Sequence, residues 1–410
     1  MISCAHSHID GDCCSHLVSR LIPYGSNAVR LSGRGWGIAA VVVVALFLLI
    51  PWAWERIEPF EPGPTYRVPY ALSDDYWHYA RYCRYVAKGD KALVVGDSVI
   101  WGEYVPPEAT LVHHLNERAG ADRFVNLGVN GIHPAALAGL LAYYGRAIRG
   151  KDVLLHYNPL WMSSKRHDLQ TQKEFRFNHP KLVPQFSVEV PCYKAPYADR
   201  LGIVAERYLP LRQWTNHLAI AYFDQAPVPA WALEHPYESP ARAISLELPQ
   251  PNAARRHDPA PWTDRGIAPV KFEWVSADTS LQWRLFQRTV KLLQGRNNRV
   301  FVLVGPFNEH MIAPESRETY QGVKTAIAGW LEQQGVPHLI APLLPSDLYA
   351  DASHPLSEGY AMLAGQLLAC EDFRTSRTSL PGKVRTHAKI AASGGRLRPS
   401  GGTRRAASGK

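Results

Sequence analysis

Residues 91–100, KALVVGDSVI, decide the fold. The run Ala92-Leu93-Val94-Val95 is apolar without alternation, so both of its faces need burial. A short run of that kind reads as a strand inside a parallel sheet covered by helices on both sides. It ends in Gly96-Asp97-Ser98, which puts a hydroxyl at the strand-to-helix turn. Chemistry gathers at that carboxyl edge in open α/β sheets.

The same rhythm extends outward. Strands are predicted at Arg123–Leu127, Lys151–Tyr157, Arg299–Val304 and His338–Ala341. Helices are predicted at Glu108–Ala119, Pro134–Arg149, Ser280–Gln294, Glu315–Gln334 and Ser357–Ala369. Alternation of this kind predicts a three-layer α/β/α, flavodoxin-like architecture with about five parallel strands. Residues 55–90 form a lead-in with a helix near Asp74–Ala87. The body occupies 91–372 and is interrupted at about 163–269 by a stretch crowded with Pro, Trp, Tyr and Arg. A connection that long is a subdomain or a functional insertion, read here as capping the site or carrying an acceptor surface. An elaboration without substrate contact is the competing reading.

Ahead of the lead-in, residues 35–54 carry no charge and include the aliphatic run IAAVVVVALFLLI from Ile38 to Ile50. About 20 such residues span the roughly 30 Å hydrocarbon core of a bilayer. Trp36, Trp52 and Trp54 sit at the ends of the run, where indole rings favour the interface. Arg20, Arg30 and Arg34 precede it and Glu55, Glu58 and Glu61 follow. That asymmetry predicts a single-pass signal-anchor in the inner (cytoplasmic) membrane. Residues 1–34 then stay cytoplasmic and the body lies in the periplasm or its extracytoplasmic equivalent. A cleaved signal peptide is the alternative; the long segment before the run and the lack of an A-x-A-like site stand against it.

The chain carries 45 Lys and Arg against 36 Asp and Glu, a net +9. Ten of the positives, and no acid, lie in 373–410, which also lacks an aromatic after Phe373. Such a composition predicts a disordered basic tail. The remainder is close to neutral, so a nucleic-acid partner is not expected. Residues 1–34 hold His6, His8, Asp10, Asp12, Cys13, Cys14 and His16, without any recurrent zinc spacing. They are read as a disordered N-terminal segment. Cys83, Cys192 and Cys370 fall on the outer side, where at most one disulfide forms.

Three further motifs accompany Gly96-Asp97-Ser98. Asn126 to Gly131 (NLGVNG) follows the second strand, and Tyr157-Asn158 ends the third. Asp351-Ala352-Ser353-His354-Pro355 precedes the last helix. With a spacing of three, the Asp351 carboxylate can hold the His354 imidazole in the tautomer that accepts a proton. Asp347 is a rival for that role at a spacing of seven.

Together these blocks resemble the SGNH (GDSL-like) hydrolases and acyltransferases, of the membrane-anchored bacterial type. The likeness covers about 92–160 and 299–368, but not the insertion or either end. It departs at block three, normally G-x-N-D, which reads His156-Tyr157-Asn158-Pro159 and keeps only the Asn. The resemblance implies Ser98 as nucleophile, His354 as base and Asp351 as its orienting acid. It implies an oxyanion hole from the backbone N–H groups of Ser98 and Gly131 and the Asn158 amide, and neither a metal nor an organic cofactor. Trp161, Asn308 and His310 are further candidates for substrate contact.

The implied activity is a serine esterase acting on O-acyl, in the first place acetyl, esters of a cell-envelope glycan or lipid. The alternative is an O-acyltransferase modifying an exopolysaccharide or wall polymer, beside a multi-pass acyl-donor partner. A non-catalytic glycan-binding scaffold is the third reading.

Overall fold

The structure is a computed structural model describing residues 31–251 and 260–378. The expectations placed on residues 1–30 and on the basic tail beyond Thr378 lie outside the described residues, as do 252–259 of the insertion.

Helix α1 (Gly33–Ile57) begins at Ser32, whose hydroxyl accepts the Gly35 N–H at 3.2 Å. It reaches a mean hydropathy of 2.4 and is the one helix among the described residues long and apolar enough to cross a membrane. Next come α2 (Tyr76–Val86), β1 (Ala92–Val95), the four-residue α3 (Ser98–Trp101), α4 (Leu111–Ala119), β2 (Phe124–Asn126), α5 (Pro134–Tyr143) and β3 (Asp152–Tyr157). The insertion holds α6 (Tyr197–Glu206), α7 (Pro210–Tyr222), α8 (Val228–Glu234) and α9 (Pro240–Ala243). The chain closes with α10 (Leu281–Gln294), β4 (Arg299–Val304), α11 (Pro314–Gln333), β5 (His338–Ile340), α12 (Ser357–Ala369) and α13 (Glu371–Thr378).

The five strands pair in the order β2-β1-β3-β4-β5, all parallel. The order reverses at β1, so the loops after β1 and β3 diverge and leave a crevice at the carboxyl edge, where ligands of doubly wound folds bind. Alternate strand residues feed two cores, as the period of two requires. Leu93, Val95, Val153, Leu155, Val300 and Val302 pack with α2, α5, α10 and α11. Val94, Leu154, Phe301 and Leu303 pack with α4 and α12. The sheet is thus buried on both faces, which is why its strands read as continuous apolar runs.

Two boundaries differ from the sequence expectation by more than three residues. Helix α5 stops at Tyr143 rather than continuing to Arg149. There the Arg296 guanidinium takes the helix-end carbonyls, donating to Leu141 and Gly145 at 2.9 and 3.0 Å and to Ala142 at 3.3 Å. Helix ends leave such carbonyls without partners, and a cation there is favoured twice, by hydrogen bonding and by the dipole. At the other end, the expected disorder from 373 does not begin there, because α13 runs to Thr378. Phe373 is buried between Phe124 and Phe301, with ring centroids 6.1 and 5.0 Å away. Phe373→Ala is expected to cost about 3 kcal/mol, the figure for an aromatic removed from a packed core, read as a lower denaturation midpoint.

The insertion carries these four helices within mostly irregular chain, and part of it packs on the end of α1. Trp54 of α1 meets Trp214 of α7 edge to face at 5.6 Å. Glu58, one of the acids that follow the apolar run, is 1 % exposed. It accepts from Arg81, from Tyr222 at 2.6 Å and from Trp54 at 3.1 Å, and contacts His217 Nε2 at 2.8 Å. His217 Nδ1 lies 2.6 Å from Asp75, which also caps α2. Among the described residues, Cys83, Cys192 and Cys370 are all free.

Candidate active site

Four elements meet at the carboxyl edge of the sheet. The first is the β1–α3 turn. Gly96 is required there because a Cβ would lie 2.5 Å from Ile100 and 2.7 Å from the His156 side chain. That approach brings β3 against the turn that carries Ser98. Ser98 follows as the first residue of α3, whose backbone carbonyls are taken by side chains from three different segments. Tyr360 donates to Val99 O at 2.7 Å and Asn126 to Ile100 O at 2.8 Å. Arg67 of the lead-in donates to Trp101 O at 2.9 Å and Gly102 O at 2.6 Å, its guanidinium 3.9 Å from the Trp101 ring centroid. A single helical turn has little stability of its own; these ties hold the serine in place.

Ser98 Oγ lies 2.8 Å from His354 Nε2, and His354 Nδ1 lies 2.8 Å from both oxygens of Asp351. Asp351 Oδ1 also accepts the N–H groups of Ser353 and His354, each at 2.9 Å. Burial raises the Asp351 pKa, but the His354 charge and these donors outweigh it and hold the carboxyl well below its usual range. Burial lowers the His354 pKa, and Asp351, with smaller contributions from Asp97 and Glu103, reverses this to a net rise. Ser98 and His354 are buried. The serine and the imidazole therefore interact largely away from water, with a carboxylate stabilising an imidazolium. Asp347 is exposed, away from this chain of hydrogen bonds.

Asp97 joins the first and third motifs. Its Oδ1 accepts the Val99 N–H at 3.0 Å and lies 3.1 Å from His156 Nδ1. Its Oδ2 accepts from the Asn158 amide and the Trp161 indole, both at 3.0 Å. Burial pushes its pKa up, but the charges of His156 and then His354 and the Val99 N–H bring it down to about 2. It is therefore a fixed anion that orients Asn158. The Asn158 Oδ1 accepts the Leu160 N–H at 3.0 Å, so the amide nitrogen is the end left on the Asp97 side.

The loop after β2 is shaped by Gly131 at φ 68°, a left-handed conformation that glycine adopts without strain. A Cβ at Gly131 would lie 2.4 Å from the Asn178 amide nitrogen. That amide donates to Gly131 O at 3.3 Å, and His179 Nε2 lies 2.9 Å from Asn130 O. Both residues belong to the insertion, so the insertion braces the second motif from outside.

The remaining candidates separate. Trp161 lines the Asp97 side of the crevice with its ring 5.6 Å from His133. Asn308 is fully buried, and its amide donates to Asp351 O at 3.2 Å, so it shapes the loop of the acid rather than facing a substrate. His310 Nε2 lies 3.1 Å from Leu344 O, turned to a neighbouring loop.

Two participants escape the sequence reading. Tyr104 donates to Asp351 Oδ2 at 3.1 Å. Arg265, near the end of the insertion, donates to Tyr104 Oη at 3.2 Å and Ala350 O at 3.1 Å. Tyr104 stands six residues after Ser98 and Arg265 has no periodic context, so neither spacing nor pattern marks them. Among the described residues no cluster of His, Cys, Asp and Glu is arranged to hold a metal ion. No protein-family model matches the chain, and no curated protein matches it.

Proposed function

We propose that the chain is a membrane-anchored SGNH-type serine esterase that removes O-acyl, chiefly acetyl, groups from a glycan or lipid of the cell envelope. The observation that carries this reading is the unbroken relay from Ser98 Oγ through His354 to the Asp351 carboxylate. In the proposed reaction Ser98 Oγ bonds to the ester carbonyl carbon while its proton passes to His354 Nε2. The carbonyl oxygen takes up negative charge, stabilised by the N–H groups of Ser98 and Gly131 and the Asn158 amide. Loss of one such donor typically costs about 10²–10³ in rate. Collapse breaks the bond to the leaving alcohol, which takes the proton back from Nε2. Water, deprotonated by the same imidazole, then releases the acid and restores Ser98.

The anchor reading rests on α1 and on the arginines ahead of it. The N-terminus is proposed to face the cytoplasm, with the body on the far side of the inner membrane. The test uses the full chain in detergent with an aryl acetate, with and without oligosaccharide acceptors. Acetate release unaffected by acceptor supports the esterase. Acetylated sugar formed at the expense of acetate would make it an O-acyltransferase with the same serine. No turnover of any acyl ester by the wild type would overturn the enzymatic reading.

The pH dependence is a second check. His354 must be neutral to accept the Ser98 proton, and its pKa is raised above 6.5, chiefly by Asp351. The ascending limb of kcat/KM is therefore expected to have its midpoint above pH 6.5. In Asp351→Asn it moves to lower pH, because the charge favouring the imidazolium is gone.

A further inference from the structure

Beside the end of α1 a cavity of about 520 Å³ opens between α2, the segment after α5 and the α6–α7 junction. Arg84, Arg146, Arg149 and Arg207 line it together with Tyr143 and Tyr208, and no carboxylate does. Arg84 is paired with Glu55, the first acid beyond the apolar run. Arg146 and Arg149 are exposed, with their Nε atoms on the Ala142 and Arg146 carbonyls at 3.4 and 3.2 Å. Neither is paired with a carboxylate among the described residues. Arg207 is 4 % exposed, its Nη2 donating to the Lys181 and Val183 carbonyls. Its Nε is buried without a partner. Glu206, the neighbouring acid in sequence, is paired with Lys181 at 3.3 Å. Arg296, behind the cavity wall, has its pKa lowered by burial and then by repulsion from Arg149 and Arg146, the mark of an uncompensated positive field.

Several guanidiniums around one cavity whose lining holds no carboxylate are the chemistry of phosphate recognition, since their planar forks match its oxygens. The cavity's position sets its level. Glu55 lies five residues past Ile50, roughly 7 Å along the helix axis at 1.5 Å per residue. The headgroup layer outside the hydrocarbon core is of about that depth. Two walls touch the end of α1 directly: α2 through Arg84 to Glu55, and α7 through Trp214 to Trp54.

We propose that this cavity is a phosphate-binding site, occupied by the headgroup of an anionic phospholipid of the membrane that α1 enters, and that it orients the body on that membrane. The site rests on the anchor part of the function proposed above and is independent of the acyl-transfer chemistry. Arg146 and Arg149 supply the charges that approach the phosphate from the exposed side; Arg207 closes the inner wall.

The experiment is native mass spectrometry of the full, delipidated chain in detergent, titrated with phosphatidylglycerol or phosphatidylcholine. One phosphatidylglycerol is expected to be retained in preference to phosphatidylcholine. The Arg146→Gln/Arg149→Gln variant is expected to bind it about ten-fold or more weakly. Arg118→Gln on the opposite side of the sheet, and Ser98→Ala, are expected to bind as the wild type does. A second arm adds inorganic phosphate. Lipid retained against millimolar phosphate supports the headgroup as occupant, whereas phosphate bound in its place supports the site and reassigns its source. Equal retention of lipid and phosphate by the wild type and the double variant overturns the proposal. A carbonate wash of the membrane fraction reads the anchor separately. A chain released by that wash, yet binding phosphate through Arg146 and Arg149, would retain the site and lose both the anchor and the lipid.

Discussion

Ser98→Ala is expected to lower acyl-ester turnover by about 10⁵-fold, to the level left by binding and oxyanion stabilisation alone. His354→Ala is expected to lose about as much, and the double variant no more than either. The reason is geometric: Oγ is 2.8 Å from Nε2, so each residue is without effect unless the other is present. Asp351→Asn is expected to lose about 10⁴-fold, since an amide at Nδ1 favours the tautomer that cannot take the serine proton. Initial rates with an aryl acetate, alongside circular dichroism to show that the variants are folded, read all four. A Ser98→Ala protein with wild-type turnover would remove the serine from the mechanism.

The second large effect concerns stability. His217→Ala removes the imidazole between Glu58 and Asp75 and leaves two carboxylates, each 1 % exposed, without that partner. Breaking a buried charge pair from one side typically costs about 3–5 kcal/mol, because the remaining charge stays desolvated. The change is expected as a lower melting temperature of the body, with α1 and α7 parting from α2 first. The intact cluster also predicts a pH optimum of stability. Burial alone would lower the His217 pKa, but Asp75 and then Glu58 raise it above 6.5. Its contribution is therefore complete below pH 6.5 and declines as the pH rises above that value. Burial alone would raise the Glu58 pKa, but His217, then Tyr222 and Arg81, bring it below 4.5. Its contribution is complete above pH 4.5 and declines in more acidic solution. Stability from this cluster is expected to peak between pH 4.5 and 6.5, and the His217→Ala variant to lack that maximum.

The five strands and the helices between them were legible because burial on both faces leaves a local mark, an apolar run bounded by Gly or a charged residue. Arg299–Val304 and Ser357–Ala369 match their predicted bounds residue for residue. The end of α5 was not legible, since the cation that takes its carbonyls, Arg296, stands more than 150 residues away. Phe373 gave no periodic signal either, its partners Phe124 and Phe301 lying on two different strands.

In the candidate site the residue types and chain order pointed to Ser98, Asp351 and His354, because the turn that carries each is local. The tie from Asp97 to Asn158 and Trp161 spans more than 60 residues, and those from Tyr104 and Arg265 to the Asp351 loop span 247 and 85. The bonds of Asn178 and His179 to the second motif cross from the insertion.

By itself, then, the sequence determined the strand–helix alternation, the membrane-length apolar helix and the identity of the three relay residues, all of which are written in neighbouring positions. Only the tertiary structure decided what surrounds them. It made Asp97 an organiser of Asn158, turned the insertion into a brace for the site and for the end of α1, and buried Glu58 between α1, α2 and α7. It also gathered arginines from α2, from the segment after α5 and from the end of α6 around one cavity. Each of these depends on charges and hydrogen-bond donors brought together from distant parts of the chain. Their effect comes from proximity in a medium of low dielectric, and spacing along a sequence carries no trace of that.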